Sequence, residues 1–143
     1  MLKGISPLIP PELLKILAEM GHGDEIVLGD ANFPAATMGK RVVRCDGIGV
    51  AELLDAVLAL LPLDTFVEAP VALMAVVPGK ETVDPPIWKD IKAIVEKHEP
   101  GTQIEWNERF AYYDRAKQAF AVVQTGETAL YANVILKKGV IGK

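Results

Sequence analysis

Short, unbroken apolar runs alternate with helix-spaced segments along this chain, and that alternation leaves few folds open to it. Ile26–Leu28, Pro70–Val77, Phe120–Gln124 and Asn133–Lys137 are too short and too β-branched for helices and read as buried strands. Arg41–Cys45 and Gln103–Asn107 are weaker candidates of the same kind. Between these runs the period changes. Pro10-Pro11 opens a helix with Leu13, Leu14, Ile16, Leu17 and Met20 on its apolar face. Val50–Leu61 predicts a second helix, stopped by Pro62. Asp84-Pro85-Pro86 reads as a capping acid followed by prolines, starting a third helix that runs to His98. A fourth is expected over Arg109–Lys117.

Strands alternating with helices predict an α/β fold: a single three-layer α/β/α domain over residues 1–143 with a mixed, mainly parallel sheet. The short Thr125-Gly126-Glu127 connection predicts an antiparallel pairing of the last two strands. Gly21 is placed to supply the left-handed residue that ends the first helix.

Half of the residues are apolar and the mean hydropathy is +0.25, which is greasy for a domain of this size. Yet no apolar run approaches the ~20 residues that cross a bilayer, so a membrane role is not expected. The excess apolar content instead predicts subunit interfaces. Net charge is −4 with lysines and arginines scattered, which argues against a nucleic-acid partner. Cys45 is the sole cysteine, so no intrachain disulfide forms and a reducing compartment is expected. Met1-Leu2-Lys3-Gly4 carries no secretory-signal pattern, and a cytoplasmic address follows as the expectation.

Chemistry concentrates in Gly21–Pro34. His22 stands before the first strand, and Asp30, with Asn32 two residues on, stands just after it. In α/β sheets ligands collect outside the carboxyl ends of strands, which makes Asp30 a candidate binding group, although position alone slightly favours a turn aspartate bonding its own backbone. An imidazole titrates near neutral pH and suits proton transfer, although a cap on the preceding helix would explain His22 equally well. Arg109-Phe110-Ala111-Tyr112-Tyr113 and Tyr131-Ala132-Asn133 offer aromatic surface with fixed donors and acceptors, the groups a sugar site uses. His98 lies in a charged run and reads as a solvated helix-end residue. Two histidines and one cysteine far apart show no ligand spacing, so no metal site is expected.

Read together, several blocks resemble the L-fucose mutarotase family, a relative of D-ribose pyranase. They are Gly21-His22-Gly23-Asp24-Glu25-Ile26, Asp30-Ala31-Asn32-Phe33-Pro34-Ala35, Arg109 to Ala116, Ala119 to Val123 with Thr125-Gly126-Glu127, and Tyr131-Ala132-Asn133 with Leu136 to Val140. The blocks fall in order over nearly the whole chain, and the Arg109–Ala116 block resembles the fucose branch alone. The resemblance implies an isomerase that interconverts the anomers of a free monosaccharide, L-fucose being the expected sugar, without a cofactor, in a cytosolic ring-shaped homo-decamer. It implies His22 as the catalytic proton-transferring residue, with Asp30, Arg109, Tyr131 and Asn133 binding the sugar. A ribose pyranase-like isomerase and a non-catalytic sugar-binding or transport-accessory protein are the alternatives.

Overall fold

The computed structural model describes residues 1–80 and 83–142. The elements run α1 (Pro11–Glu19), β1 (Glu25–Gly29), α2 (Ala35–Met38), β2 (Val42–Cys45), α3 (Val50–Leu58), β3 (Val71–Met74), α4 (Ile87–His98), β4 (Ile104–Asn107), α5 (Arg109–Gln118), β5 (Ala121–Thr125) and β6 (Val134–Lys137). The strands form one sheet in the order β2-β5-β1-β6-β3-β4. β5 runs parallel to both β1 and β2, and β3 parallel to β4. β6 runs antiparallel to β1 and to β3. The sheet is mixed and mainly parallel, as the sequence predicts.

Alternate residues of the strands feed two cores, because successive side chains point to opposite faces. Ile26, Leu28, Val71, Leu73, Val123, Val134 and Leu136 pack with α1, α3 and α4. Val27, Ala72, Val122 and Ile135 pack with α2 and α5 on the other face. Each buried valine or leucine contributes about 1.5–3 kcal/mol of transfer free energy. The second face is the thinner: α2 has four residues, and α5 buries only Tyr112 and Ala116.

The expected pairing of the last two strands is not found. β5 and β6 lie on opposite sides of β1, and the loop between them is committed elsewhere. The Thr125 hydroxyl donates to the Gly29 carbonyl at 2.7 Å, and the Ala31 N–H donates to the Glu127 carbonyl at 2.7 Å. The loop therefore crosses the end of β1 instead of turning back. Glu127 also accepts the Val50 N–H at 3.1 Å, which caps α3 with a carboxylate at the favourable end of its dipole.

Three local expectations are corrected. Gly21 is not left-handed: α1 ends on an extended Met20, and the positive φ, 86°, belongs to Gly23. The orphan carbonyls of Leu17 and Met20 are taken by the Lys138 ammonium instead. Asp84 does not cap α4, because the helix begins at Ile87 after Pro86 with no side-chain cap. His98 is not a solvated residue. Its side chain is 18% exposed, and its Nε2 lies 2.7 Å from Asp55 of α3, a carboxylate that also accepts Lys97 Nζ at 2.9 Å. The hydrogen bonds from His98 and Lys97 hold the Asp55 carboxyl below its ordinary range.

Arg115 locks α5 to the sheet. Its guanidinium pairs with Glu25 of β1 at 2.6 Å, with Glu105 of β4, and with Asn107 at 3.0 Å. Arg115→Met keeps the packing of the stem but strands two carboxylates. Since Arg115 and Glu25 are mostly buried, a loss of about 2–4 kcal/mol is expected. It reads as a lower urea midpoint at unchanged slope; a midpoint within roughly 0.2 M of the parent would contradict it.

Candidate active site

A cleft of about 340 Å³ opens at the carboxyl ends of the parallel strands. Asp30 and Asn32 follow β1, Arg109 opens α5 just beyond β4, and Tyr131 and Asn133 lead into the antiparallel β6. Phe33, Met74, Val77 and Leu130 form its apolar walls. The four sugar-binding residues expected from the sequence thus meet in one place.

Asp30 and Asn133 hold each other. The Asp30 N–H donates to Asn133 Oδ1 at 2.8 Å, and Asn133 Nδ2 donates to Asp30 Oδ2 at 3.2 Å. That pair of bonds fixes the orientation of the amide. Asp30 Oδ1 accepts the Asn32 N–H at 2.9 Å, so the turn-aspartate reading holds alongside the binding one. Gln124 donates to the Asp30 carbonyl from β5. Burial pushes the Asp30 carboxyl above its ordinary value against these donors. Gly29 is required beside it, since a Cβ there would lie 2.7 Å from the Phe33 side chain.

Arg109 is placed at the first turn of α5 by Glu108, whose carboxylate accepts the N–H groups of Phe110 and Ala111 at 2.9 and 3.1 Å. A cation at the positive end of a helix is electrostatically disfavoured. Its guanidinium lies 5.5 Å from the Tyr113 ring and 3.4 Å from the Tyr113 hydroxyl, where it lines the cleft. Tyr131 has φ 57°, a left-handed conformation that costs a bulky residue about 1–3 kcal/mol.

His22 is not in this cleft. It precedes β1 while Asp30 follows it, and a five-residue strand holds them about 13 Å apart along its axis alone. Its Nε2 lies 3.0 Å from Asp64 Oδ1 and its ring 5.1 Å from that of Phe66. Asp64 is buried and also accepts the Phe66 N–H at 3.0 Å, which holds its carboxyl below the ordinary range. An ionised carboxylate only accepts. Nε2 therefore carries the proton of that hydrogen bond. The helix-cap reading of His22 falls, because Lys138 already fills that role.

Sequence reasoning missed Asp64 and Phe66 as partners of His22, and Met74 and Val77 as cleft walls. The Asp64-Thr65-Phe66 step is Asx-turn chemistry and was the one available signal; for Met74 and Val77 there was none.

The chain matches the model of the RbsD / FucU transport protein family over residues 3–141. It is 57% identical over 141 residues to the L-fucose mutarotase of Actinobacillus pleuropneumoniae serotype 5b, covering 98% of this chain and 97% of that one. Its fold superposes on the fucose mutarotase of Streptococcus pneumoniae, solved in complex with L-fucose, with a TM-score of 0.92 at 49% identity over 99% of this chain and all of that one. RbsD of Bacillus subtilis, solved with D-ribose, is more distant: TM-score 0.72 at 25% identity, with 99% and 100% covered.

The geometry of the cleft makes its own prediction. Asn133→Asp would set a second carboxylate against Asp30. One of the two then keeps its proton in the folded state well above the ordinary range, while the unfolded chain loses both near pH 4. The folded state binds the extra proton, so the stability of the variant falls as pH rises through that window. Melting temperatures should show the deficit relative to the parent widening from pH 5 to pH 8; a pH-independent deficit would contradict the shared site.

Proposed function

The chain belongs to the RbsD / FucU transport protein family, and on that premise we propose that it is an isomerase interconverting the α and β anomers of a free monosaccharide, L-fucose. The observation that carries this reading is the cleft itself: a carboxylate, an amide, a phenol and a guanidinium converge on a space of about 340 Å³ with an apolar wall. Such a space suits one deoxy sugar, with hydroxyls on the polar side and a methyl group on the other. The fucose relatives at 57% and 49% identity support fucose over ribose, whose binding protein lies at 25%.

Ring opening removes the proton of the anomeric hydroxyl while the ring oxygen gains one; the carbonyl end rotates, and closure on the other face reverses both transfers. The His22 imidazole takes one half of that exchange. Asp30, Tyr131 or a water held by them takes the other. Mutarotation already proceeds in water, so the ~10²–10⁴-fold typical of positioned acid–base groups suffices.

His22 enters the reaction from a neighbouring subunit. Phe66, whose ring packs against it at a tilt, is 74% exposed, and Phe110 and Leu130 beside the cleft are 65% and 59% exposed. Apolar surface therefore flanks both the imidazole at one end of the sheet and the cleft at the other. Two such unlike patches join head to tail, and a head-to-tail contact that closes makes a ring. A homo-oligomeric ring, the cytosolic decamer that the family resemblance implies, is the form proposed here.

Two measurements test this. Saturation-transfer NMR on L-fucose should show catalysed anomer exchange, abolished in His22→Gln with fold and assembly unchanged; an unaltered rate would remove His22 from the mechanism. Mixing inactive His22→Ala with inactive Tyr131→Ala subunits, after dissociation and reassembly, should restore exchange through cleft and imidazole drawn from different chains. Verified mixed oligomers without activity would place both on one chain.

A further inference from the structure

Tyr131 is the only non-glycine residue with positive φ among the described residues, and an aromatic side chain holds that conformation only where its surroundings over-determine it. Two bonds restrain it. Its hydroxyl accepts the Val77 N–H at 3.2 Å, and its carbonyl accepts the indole N–H of Trp88 at 3.0 Å. On its C-terminal side Asn133 exchanges two hydrogen bonds with Asp30, which restrains the backbone in that direction.

Trp88 differs from the other restraints. It stands in the first turn of α4, is buried to 4% exposure, packs with the larger core, and meets Trp106 at 5.7 Å between ring centroids. It does not line the cleft. Its ring is held by packing, which makes its N–H a fixed point, whereas the phenol bond to Val77 ends on a loop. A rigid donor aimed at the carbonyl of the strained residue decides the plane of that peptide and hence where the phenol points.

We propose that Trp88 is a positioning residue for the sugar site: through its indole N–H it holds Tyr131 left-handed and aims the phenol into the cleft. This rests on the anomerase reading for its kinetic consequence but not for its structural one. Trp88→Phe keeps an aromatic ring in the core and removes only the donor. The half-buried Tyr131 carbonyl then loses its partner, the backbone relaxes toward negative φ, and the phenol leaves Val77.

The test pairs hydrogen exchange with kinetics on the assembled protein. In Trp88→Phe the Val77 amide should exchange at least tenfold faster, while the sheet-core amide of Ile135 keeps its rate relative to global stability. The KM for L-fucose should rise about tenfold, close to the loss of one buried hydrogen bond, with kcat changed less than threefold. In a Tyr131→Phe background, where the Val77 bond is already absent, Trp88→Phe should add nothing to either readout. Equal acceleration of Val77 and Ile135, or unchanged Val77 exchange and KM, would reduce Trp88 to a packing residue and overturn the proposal. Should Trp88→Phe fail to assemble, benzothienylalanine, which keeps the indole shape without the donor, replaces tryptophan in a Trp106→Phe background and is read the same way. If the parent exchanges no sugar anomers, the functional reading falls, and Val77 exchange alone decides the role of Trp88.

Discussion

The antiparallel insertion of β6 between β1 and β3 is the contact the rest of the molecule depends on. Without it the sheet divides into two parallel pieces, β2-β5-β1 and β3-β4. The same strand serves both rims. At its start Asn133 fixes Asp30 in the cleft. Past its end, Lys138 exchanges backbone bonds with Gly23 and Asp24 at 2.8 and 2.9 Å and holds the final carbonyls of α1, which sets the loop that carries His22. One short strand thus sets Asp30 and Asn133 of the cleft at one end and the loop of His22 at the other.

On the proposed mechanism each half is chemically incomplete by itself. The proposed sugar cleft is lined by one carboxyl, two phenols and one guanidinium, and by no imidazole. The His22 ring lies between Asp64, 3.0 Å from its Nε2, and Phe66, outside the cleft. Side chains are held by hydrogen bonds or ring packing on both sides, and in the proposed ring head-to-tail assembly is what brings the halves together. The thin cover of α2 and α5 over the second sheet face leaves surface for such contacts.

Periodicity made the strands and helices legible, because burial on both faces leaves apolar runs that no helix could use. Asp30, Arg109, Tyr131 and Asn133 were legible through short blocks of resemblance, and the cleft brings all four together. Strand order was not legible. The Thr125–Glu127 step has hairpin length, but its hydrogen bonds go to Gly29, Ala31 and Val50, and only the folded chain reveals those partners. The pairings of His98 with Asp55 and of His22 with Asp64 each span more than forty positions, so no local pattern encodes them. The helix ends failed for a related reason: Lys138 supplied from afar what a glycine cap would have supplied locally.

The placement of β1 has a consequence for the order in which the molecule can form. β1 is among the first elements of the sequence, yet the strands that flank it, β5 and β6, are the last. Asp30 waits for an Asn133 that lies 103 residues further along. Loop closure over such a span carries its entropy cost before any contact rewards it, and non-local pairings of this kind slow folding. During synthesis the first strand therefore emerges with both edges bare, and a greasy, unpaired edge invites association with other chains. The ribosome must nearly finish its work before the oldest strand acquires its neighbours, so the growing chain is most exposed to misassembly, and most in need of chaperone cover, for almost the whole of its synthesis.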